Sequence, residues 1–355
     1  MKLKDSGVAA ALTAALLFGA STPLAKLLLE RADPWLLAAL LYLGSGTGLW
    51  LLRQLRRSPS VRLAQGDWRW MAGATLAGGV VAPILLMTGL AATSASNASL
   101  LLNAEGVFTA LLAWFVFKEN FDKRIALGML AITAGAVVLT WPTNAAFKLG
   151  SVWPALAVLG ACLAWAIDNN LTRKVALADA SWIAMVKGLV AGSSNLIIAV
   201  IAGATWPGLT PVLAAAVLGF LSYGASLTLF VIALRQLGSA RTGAYFCVAP
   251  FFGTLLALIL LHEPVTWVLL VGGTLMAVGV ALHMTEHHAH EHTHEPLLHD
   301  HEHTHSVDDL HHDHEHDGSI QPGTRHAHQH QHVATTHLHP HFPDAHHHHH
   351  SKSLQ

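Results

Sequence analysis

The chain has 355 residues, 53% hydrophobic and only 12% charged, against about 25% charged in an ordinary soluble domain. Its formal net charge of −1 hides an uneven split. Residues 1–285 hold 18 Lys/Arg against 10 Asp/Glu, residues 286–355 hold 2 against 11, and 25 of the 27 histidines fall in the second part. An apolar body excludes disorder throughout, the lack of a soluble basic face argues against nucleic acid, and two cysteines, Cys162 and Cys247, cannot build a disulfide framework or a four-cysteine zinc site.

In chain order, the body reads as apolar helices near 7–29, 35–54, 70–91, 97–117, 123–141, 151–171, 181–203, 211–234, 241–261 and 264–284. Each approaches the roughly 20 apolar residues that a spanning helix needs. Trp35, Trp50, Trp70, Trp141, Trp153, Trp182, Trp206 and Trp267 fall near span ends, where indole rings favour the headgroup layer. With the N-terminus inside, the inner segments collect 14 Lys/Arg and the outer loops only Arg31 and Lys148. That bias places both termini in the cytoplasm of a multi-pass protein of the cell inner (cytoplasmic) membrane. The first span has a basic start but stays apolar past Ser21 to Leu29, and so reads as a retained helix rather than a cleaved signal.

The body is internally duplicated. At an offset of 147, Phe18 matches Trp165, Lys26 matches Arg173 and Trp35 matches Trp182; at 144, Leu111-Leu112-Ala113 lies over Leu255-Leu256-Ala257, Glu119 over Glu263 and Gly135 over Gly279. Five spans per copy is an odd number, so the second copy enters the membrane inverted. Inverted repeats characterise secondary transporters that alternate access around a midplane site.

The segments Leu111–Glu119 and Thr254–Pro264, each an apolar helix ending in a glutamate before a glycine-rich closing span, carry a resemblance to the EamA type of the drug/metabolite transporter superfamily. The typical family ending has glycine before that glutamate; Lys118 and His262 stand there instead. The resemblance implies an all-α integral membrane fold of ten transmembrane helices in two inverted five-helix repeats. Residues 1–141 form the first repeat, 151–284 the second, and 286–355 a disordered His-rich cytoplasmic tail. It also implies transport, with export favoured over import, but names no substrate. Expected partners are the lipid bilayer, a small-molecule or metal-ion substrate, no nucleic acid, and a homodimer as candidate assembly.

Ionisable residues at bilayer depth are costly and default to functional candidates. Glu105 lies mid-way along the fourth span, with Asn103 two residues before it and Thr109 one helical turn after, on its own face. Its carboxyl can exchange a proton or bind a cation. Asp168, Asn169 and Asn170 close the sixth span, and three consecutive residues cannot share one helix face. Lys187 enters the seventh span within reach of Asp168, either as an ion pair or snorkelling to the interface. Asn195 follows two turns later on the same stripe, and Tyr245 opens the ninth span toward a cavity. Pro83 and Pro250 favour kinks. Gly44-x3-Gly48 and Gly188-x3-Gly192 favour close helix contact.

The tail alternates His-x-His: His288, His290, His292 and His294; His299, His301, His303 and His305; His326, His328, His330 and His332; then His337, His339 and His341, with a final run at 346–350. Neutral imidazoles on a flexible chain bind zinc, nickel, cobalt or copper without fixing one geometry. No cofactor is otherwise required. Two rival functions stand beside solute transport: efflux of a divalent metal (Ni, Co or Zn) collected by the tail, and a non-transporting metal sensor anchored by the body. Against metal as cargo, the body has no histidine deep in a span and no paired carboxylates there. No nucleophile–base pair or phosphate-cradling glycine loop stands outside the spans, which disfavours an enzyme.

Overall fold

The computed structural model describes residues 2–58, 61, 63, 65–117, 123–141, 149–175, 179–237, 245–284, 289–293, 298–304, 325–331 and 336–340. They belong to two compact units, Met1–Glu286 and His287–Gln355. Among its described residues the first unit consists of helices joined by turns and short irregular stretches. Its helices are α1 (Lys2–Gly19), α2 (Ser21–Leu28), α3 (Pro34–Leu55), α4 (Trp68–Ala74), α5 (Ala82–Ala91), α6 (Ala95–Leu101), α7 (Ala104–Phe117), α8 (Lys123–Thr140), α9 (Leu149–Thr172), α10 (Ala180–Ile201), α11 (Leu209–Gly219), α12 (Ser226–Leu237), α13 (Ala249–Leu260) and α14 (Trp267–Met284). Turns of π-helix, Thr75–Val81 and Phe220–Ala225, fuse α4 to α5 and α11 to α12.

Among the described residues, six stretches are long and apolar enough to cross a membrane: Gly7–Leu28, Pro34–Leu55, Trp68–Ala91, Val152–Thr172, Ala180–Ile201 and Leu209–Ala233. Shorter apolar helices cover Ala126–Thr140, Ala249–Leu260 and Trp267–Leu282. Their outer faces expose Leu55, Leu76, Leu130, Ile201 and Trp267, a surface suited to lipid.

Two expected spans differ in the structure. The stretch 97–117 is broken at Leu102–Asn103 into α6 and α7, immediately before Glu105. The stretch 241–261 is helical at Tyr245–Phe246 and then from Ala249, after a turn at Cys247–Val248. Pro250 therefore sits in the first turn of α13, where a missing N–H is harmless, and not at a mid-helix kink.

Packing pairs distant parts of the chain: α3 lies chiefly on α10, α8 on α14, α1 on α12, and α5 on α9. Small residues make the crossings possible. A Cβ on Gly188 would stand 2.7 Å from the Gly46 nitrogen, and one on Gly135 would stand 2.8 Å from the Gly272 oxygen, so either substitution would push two helices apart. The two halves of the body thus interleave within one unit.

In the second unit, Ala289–Thr293 pairs antiparallel with Thr336–Pro340, and Leu298–Thr304 with Arg325–Gln331, with His301 opposite His328. These described stretches coincide with the strict two-residue alternation of histidine, which is the period of a strand. The remaining tail positions, including His288, His294, His305 and His332, lie outside the described residues, as do Lys118, Glu119 and Arg241.

Candidate functional site

Pro83 organises the centre of the body. It has no N–H to offer the carbonyls four and five residues back, those of Gly79 and Gly78. Both receive side-chain donors from other helices instead. The Tyr42 hydroxyl donates to the Gly78 oxygen at 2.7 Å and the Trp165 indole N–H donates at 3.0 Å. The Asn195 amide donates to the Gly79 oxygen at 2.9 Å. A proline, a π-turn and two glycines thereby place backbone polarity in the apolar interior and tie α3, α9 and α10 to it.

Gly78 has a second role. A Cβ there would lie 1.9 Å from Asp168 Oδ2, so only glycine admits the carboxylate. Asp168 is buried, and Lys187 Nζ reaches its two oxygens at 2.5 and 2.6 Å, while the Thr172 hydroxyl donates to Oδ1 at 2.8 Å. A buried carboxylate bound on both oxygens by an ammonium is neutralised in place.

The three consecutive polar residues take three directions, as their helical spacing requires. Asp168 meets Lys187, the Asn170 amide donates to the Ala166 oxygen at 2.8 Å, and the Asn169 amide donates to Glu105 Oε1 at 2.8 Å. The last contact joins α9 to the start of α7, 64 residues away in sequence. Among the described residues it is the only hydrogen bond to the Glu105 carboxyl, and no cation pairs with that group.

Asn169 is exposed although Cys162, Trp165 and Ala166, one to two turns earlier on its side of α9, are buried. Its amide therefore stays accessible near the end of α9. Glu105 is half-buried. A chain of rings starts at Trp165, one turn before Asn169 on α9. Trp165 Nε1 is 3.5 Å from the Tyr42 oxygen, and Tyr42 stacks on Tyr223 with centroids 5.6 Å apart. Tyr223 meets Phe18 edge-on at 6.0 Å, Phe18 meets Phe246 at 5.4 Å, and Phe246 meets Phe230 at 4.8 Å. Five helical segments contribute to this one ladder.

The other expected site residues make no contact with Glu105. Asn103, at the α6–α7 break, is buried and turns its amide to the Leu100 oxygen (3.0 Å) and Met276 Sδ (4.0 Å), away from Glu105. Thr109 Oγ1 and Asn195 Oδ1 are buried without a partner. Tyr245 is half-buried and makes no hydrogen bond to the cluster among the described residues. Tyr42, Trp165, Tyr223 and Phe18 are the residues that sequence reading missed. Their signal was faint: Phe18 and Trp165 are repeat equivalents at an offset of 147, but scattered aromatics read as core or belt. Among the described residues, no group of three or more His, Cys, Asp and Glu is arranged to hold a metal.

The model of the EamA-like transporter family matches residues 5–141 and again 152–285. An uncharacterized transporter of Methanothermobacter thermautotrophicus is 31% identical over 290 residues, spanning 77% of this chain and 84% of that protein. One of Archaeoglobus fulgidus is 24% identical over 238 residues, spanning 62% and 78%. A solved crystal structure superposes with a TM-score of 0.60 at 20% identity, over 79% of this chain and 98% of its own; at that identity the likeness speaks for the fold alone.

Proposed function

The chain belongs to the EamA-like transporter family, whose members move small solutes across membranes, and from that premise we propose that it is a secondary transporter working by alternating access, with Glu105 and Asn169 as its coupling site. The observation that carries this reading is the Glu105–Asn169 pair. A half-buried ionisable carboxyl is bound by one amide at 2.8 Å and by no cation among the described residues. A carboxyl in that setting exchanges its proton for a solute contact, which is the step proton coupling needs. Asp168 and Lys187 neutralise each other and act as the fixed support behind it.

Helix pairing supports alternating access. Read as two copies of five spans, each exchange of one copy for the other turns the pair α1–α12 into α9–α5 and maps α3–α10 and α8–α14 onto themselves. The π-turns fall at matching places, Thr75–Val81 and Phe220–Ala225. A molecule built this way has two related ways to open, one to each face. The charge bias puts both termini in the cytoplasm, and export is the favoured direction.

The tail is a metal-binding accessory in this reading, its imidazoles gathering zinc, nickel, cobalt or copper, and 286–355 is a separate region from the two repeats. No observation favours metal as cargo of the body.

The test is solute profiling of cells and medium for wild-type protein, Glu105→Gln and an empty vector, with metal content measured in parallel for full-length protein and a 1–285 truncation. One or a few organic solutes should shift with wild-type protein and not with Glu105→Gln. Identical profiles in all three, or a change confined to one metal, would contradict the proposal.

A further inference from the structure

Helix α6 is seven residues long, and its two ends are built differently. At its start it is held by a charge from the other family-matched segment. Glu263, which follows α13, accepts from the Ala95 N–H at 2.7 Å on Oε1 and from the Ser96 N–H at 2.9 Å on Oε2. Across the same turn, Lys26 in the last turn of α2 donates to the Leu90 and Ala91 oxygens at 2.6 and 3.1 Å. Both charged residues are half-buried. These are contacts of side chains with helix-end backbone groups, which water can also satisfy. At its other end α6 stops at the Leu102–Asn103 break. Just beyond that break the Glu105 N–H donates to the Leu102 oxygen at 3.1 Å, so the short helix leads directly into the proposed coupling carboxyl.

The seat of α6 is made of small residues. A Cβ on Gly253 would stand 2.7 Å from both the Gly19 oxygen and Ser99 Oγ, and the Thr254 hydroxyl donates to the Ser96 oxygen at 3.3 Å. Ser99 Oγ is buried there without a hydrogen-bond partner. Such a seam has no large side chain to withdraw before the helices part, and parting would give that hydroxyl a water partner. The break also has a counterpart. At the offset of 144 read from the sequence, Asn103 matches Cys247, and α13 begins just after the turn at Cys247–Val248. An accidental irregularity would not recur at the same register, whereas interrupted spans at matching places mark the moving centre of transporters built from repeats.

We propose that α6 is a hinged plug that pivots at Leu102–Asn103 and is latched shut by Glu263 and Lys26, so that opening one face of the protein requires this latch to release. In the orientation proposed above, that face is the outer one. Glu263 and Lys26 are then positioning residues of the transport cycle, acting through α6 and not on the solute. The inference rests on the transporter reading and assigns it a gate.

The experiment reads the seam with a cysteine, Ser99→Cys, in full-length protein carrying Cys247→Ser; the remaining Cys162 is buried. Its modification by the membrane-impermeant reagent 2-sulfonatoethyl methanethiosulfonate is timed in right-side-out and inside-out membrane vesicles. Glu263→Gln and Lys26→Met, each added to this background, should speed modification from the outer face about five-fold or more, because each weakens the closed state alone. From the inner face the rate should stay within about two-fold. Melting temperatures in detergent, measured alongside, identify a variant that has merely lost its fold.

Unchanged rates from both faces in both variants overturn the latch. An equal rise from both faces also overturns it, since that is general loosening and not release of a gate. The transporter reading fails separately, on unchanged solute profiles in cells. Faster outer modification together with unchanged profiles would leave a hinged helix in a protein that does not transport, and profiles that depend on Glu105 together with unchanged modification would leave a transporter gated elsewhere.

Discussion

At the scale of single residues, two local features account for helix ends outside the spans. Asp179 caps α10, accepting from the Trp182 N–H at 2.9 Å, and is held by Arg53 Nη1 at 2.9 Å. Burial pushes its carboxyl up, but the Ser181 hydroxyl, the Trp182 N–H and the Arg53 guanidinium together hold it below the usual carboxylate range. A carboxyl depressed in the folded state stabilises above its unfolded value and loses that contribution as pH falls through the folded value. Asp179→Ala should therefore cost about 1 kcal/mol at neutral pH. The gap between the two thermal unfolding curves should close as pH drops below about 4. The second feature is His262, with φ of 51°, in the left-handed region that follows a helix end. The expected family glycine at this position is explained by that angle. His262→Gly should raise stability by about 1 kcal/mol, read as a higher melting temperature in detergent.

At the scale of elements, the turn between α5 and α6 is clamped from two sides. Lys26 Nζ donates to the Leu90 and Ala91 oxygens at 2.6 and 3.1 Å, at the end of α5 where carbonyls are unsatisfied. Glu263 accepts from the Ala95 and Ser96 N–H groups at 2.7 and 2.9 Å, at the start of α6. Each charge has the sign that its helix end favours. Ala95 and Ser96 are buried, so Glu263→Ala would strand two donors and should cost about 1–3 kcal/mol. Glu263→Gln, which still accepts, should cost less, and thermal unfolding in detergent would rank them. None of this is visible locally in sequence, since the partners lie 64 to 168 residues apart. The break before Glu105 was read through because Asn103, a residue that suits a helix end, stands alone in a long apolar run. Legible elements were those with a local cause: apolar runs and the reach of Lys187 to Asp168 within one hairpin. Asn169 was singled out by composition, but its partner Glu105 was set by tertiary packing of α7 on α9.

At the scale of the whole molecule, family membership and helix pairing carry more than any one contact. Helix α3 pairs chiefly with α10, and α8 with α14. The aromatic ladder was not legible, because it draws one or two rings from each of several helices, and no spacing links them. In the tail, composition suggested metal binding but not the antiparallel strand pairs. Removing residues 286–355 should abolish retention of the solubilised protein on immobilised nickel while leaving its solute profile in cells unchanged. Retained binding would place the metal ligands in the body.

The central claim, that Glu105 couples solute movement to a proton, is tested most directly in proteoliposomes loaded with a pH-sensitive dye. Wild-type protein should move protons when a solute found by profiling is added, and Glu105→Gln should not. Lys187→Met with Asp168→Asn, which removes the neutral pair as a unit, should slow that flux without changing its dependence on solute. Proton flux equal in wild-type protein and Glu105→Gln would contradict the account.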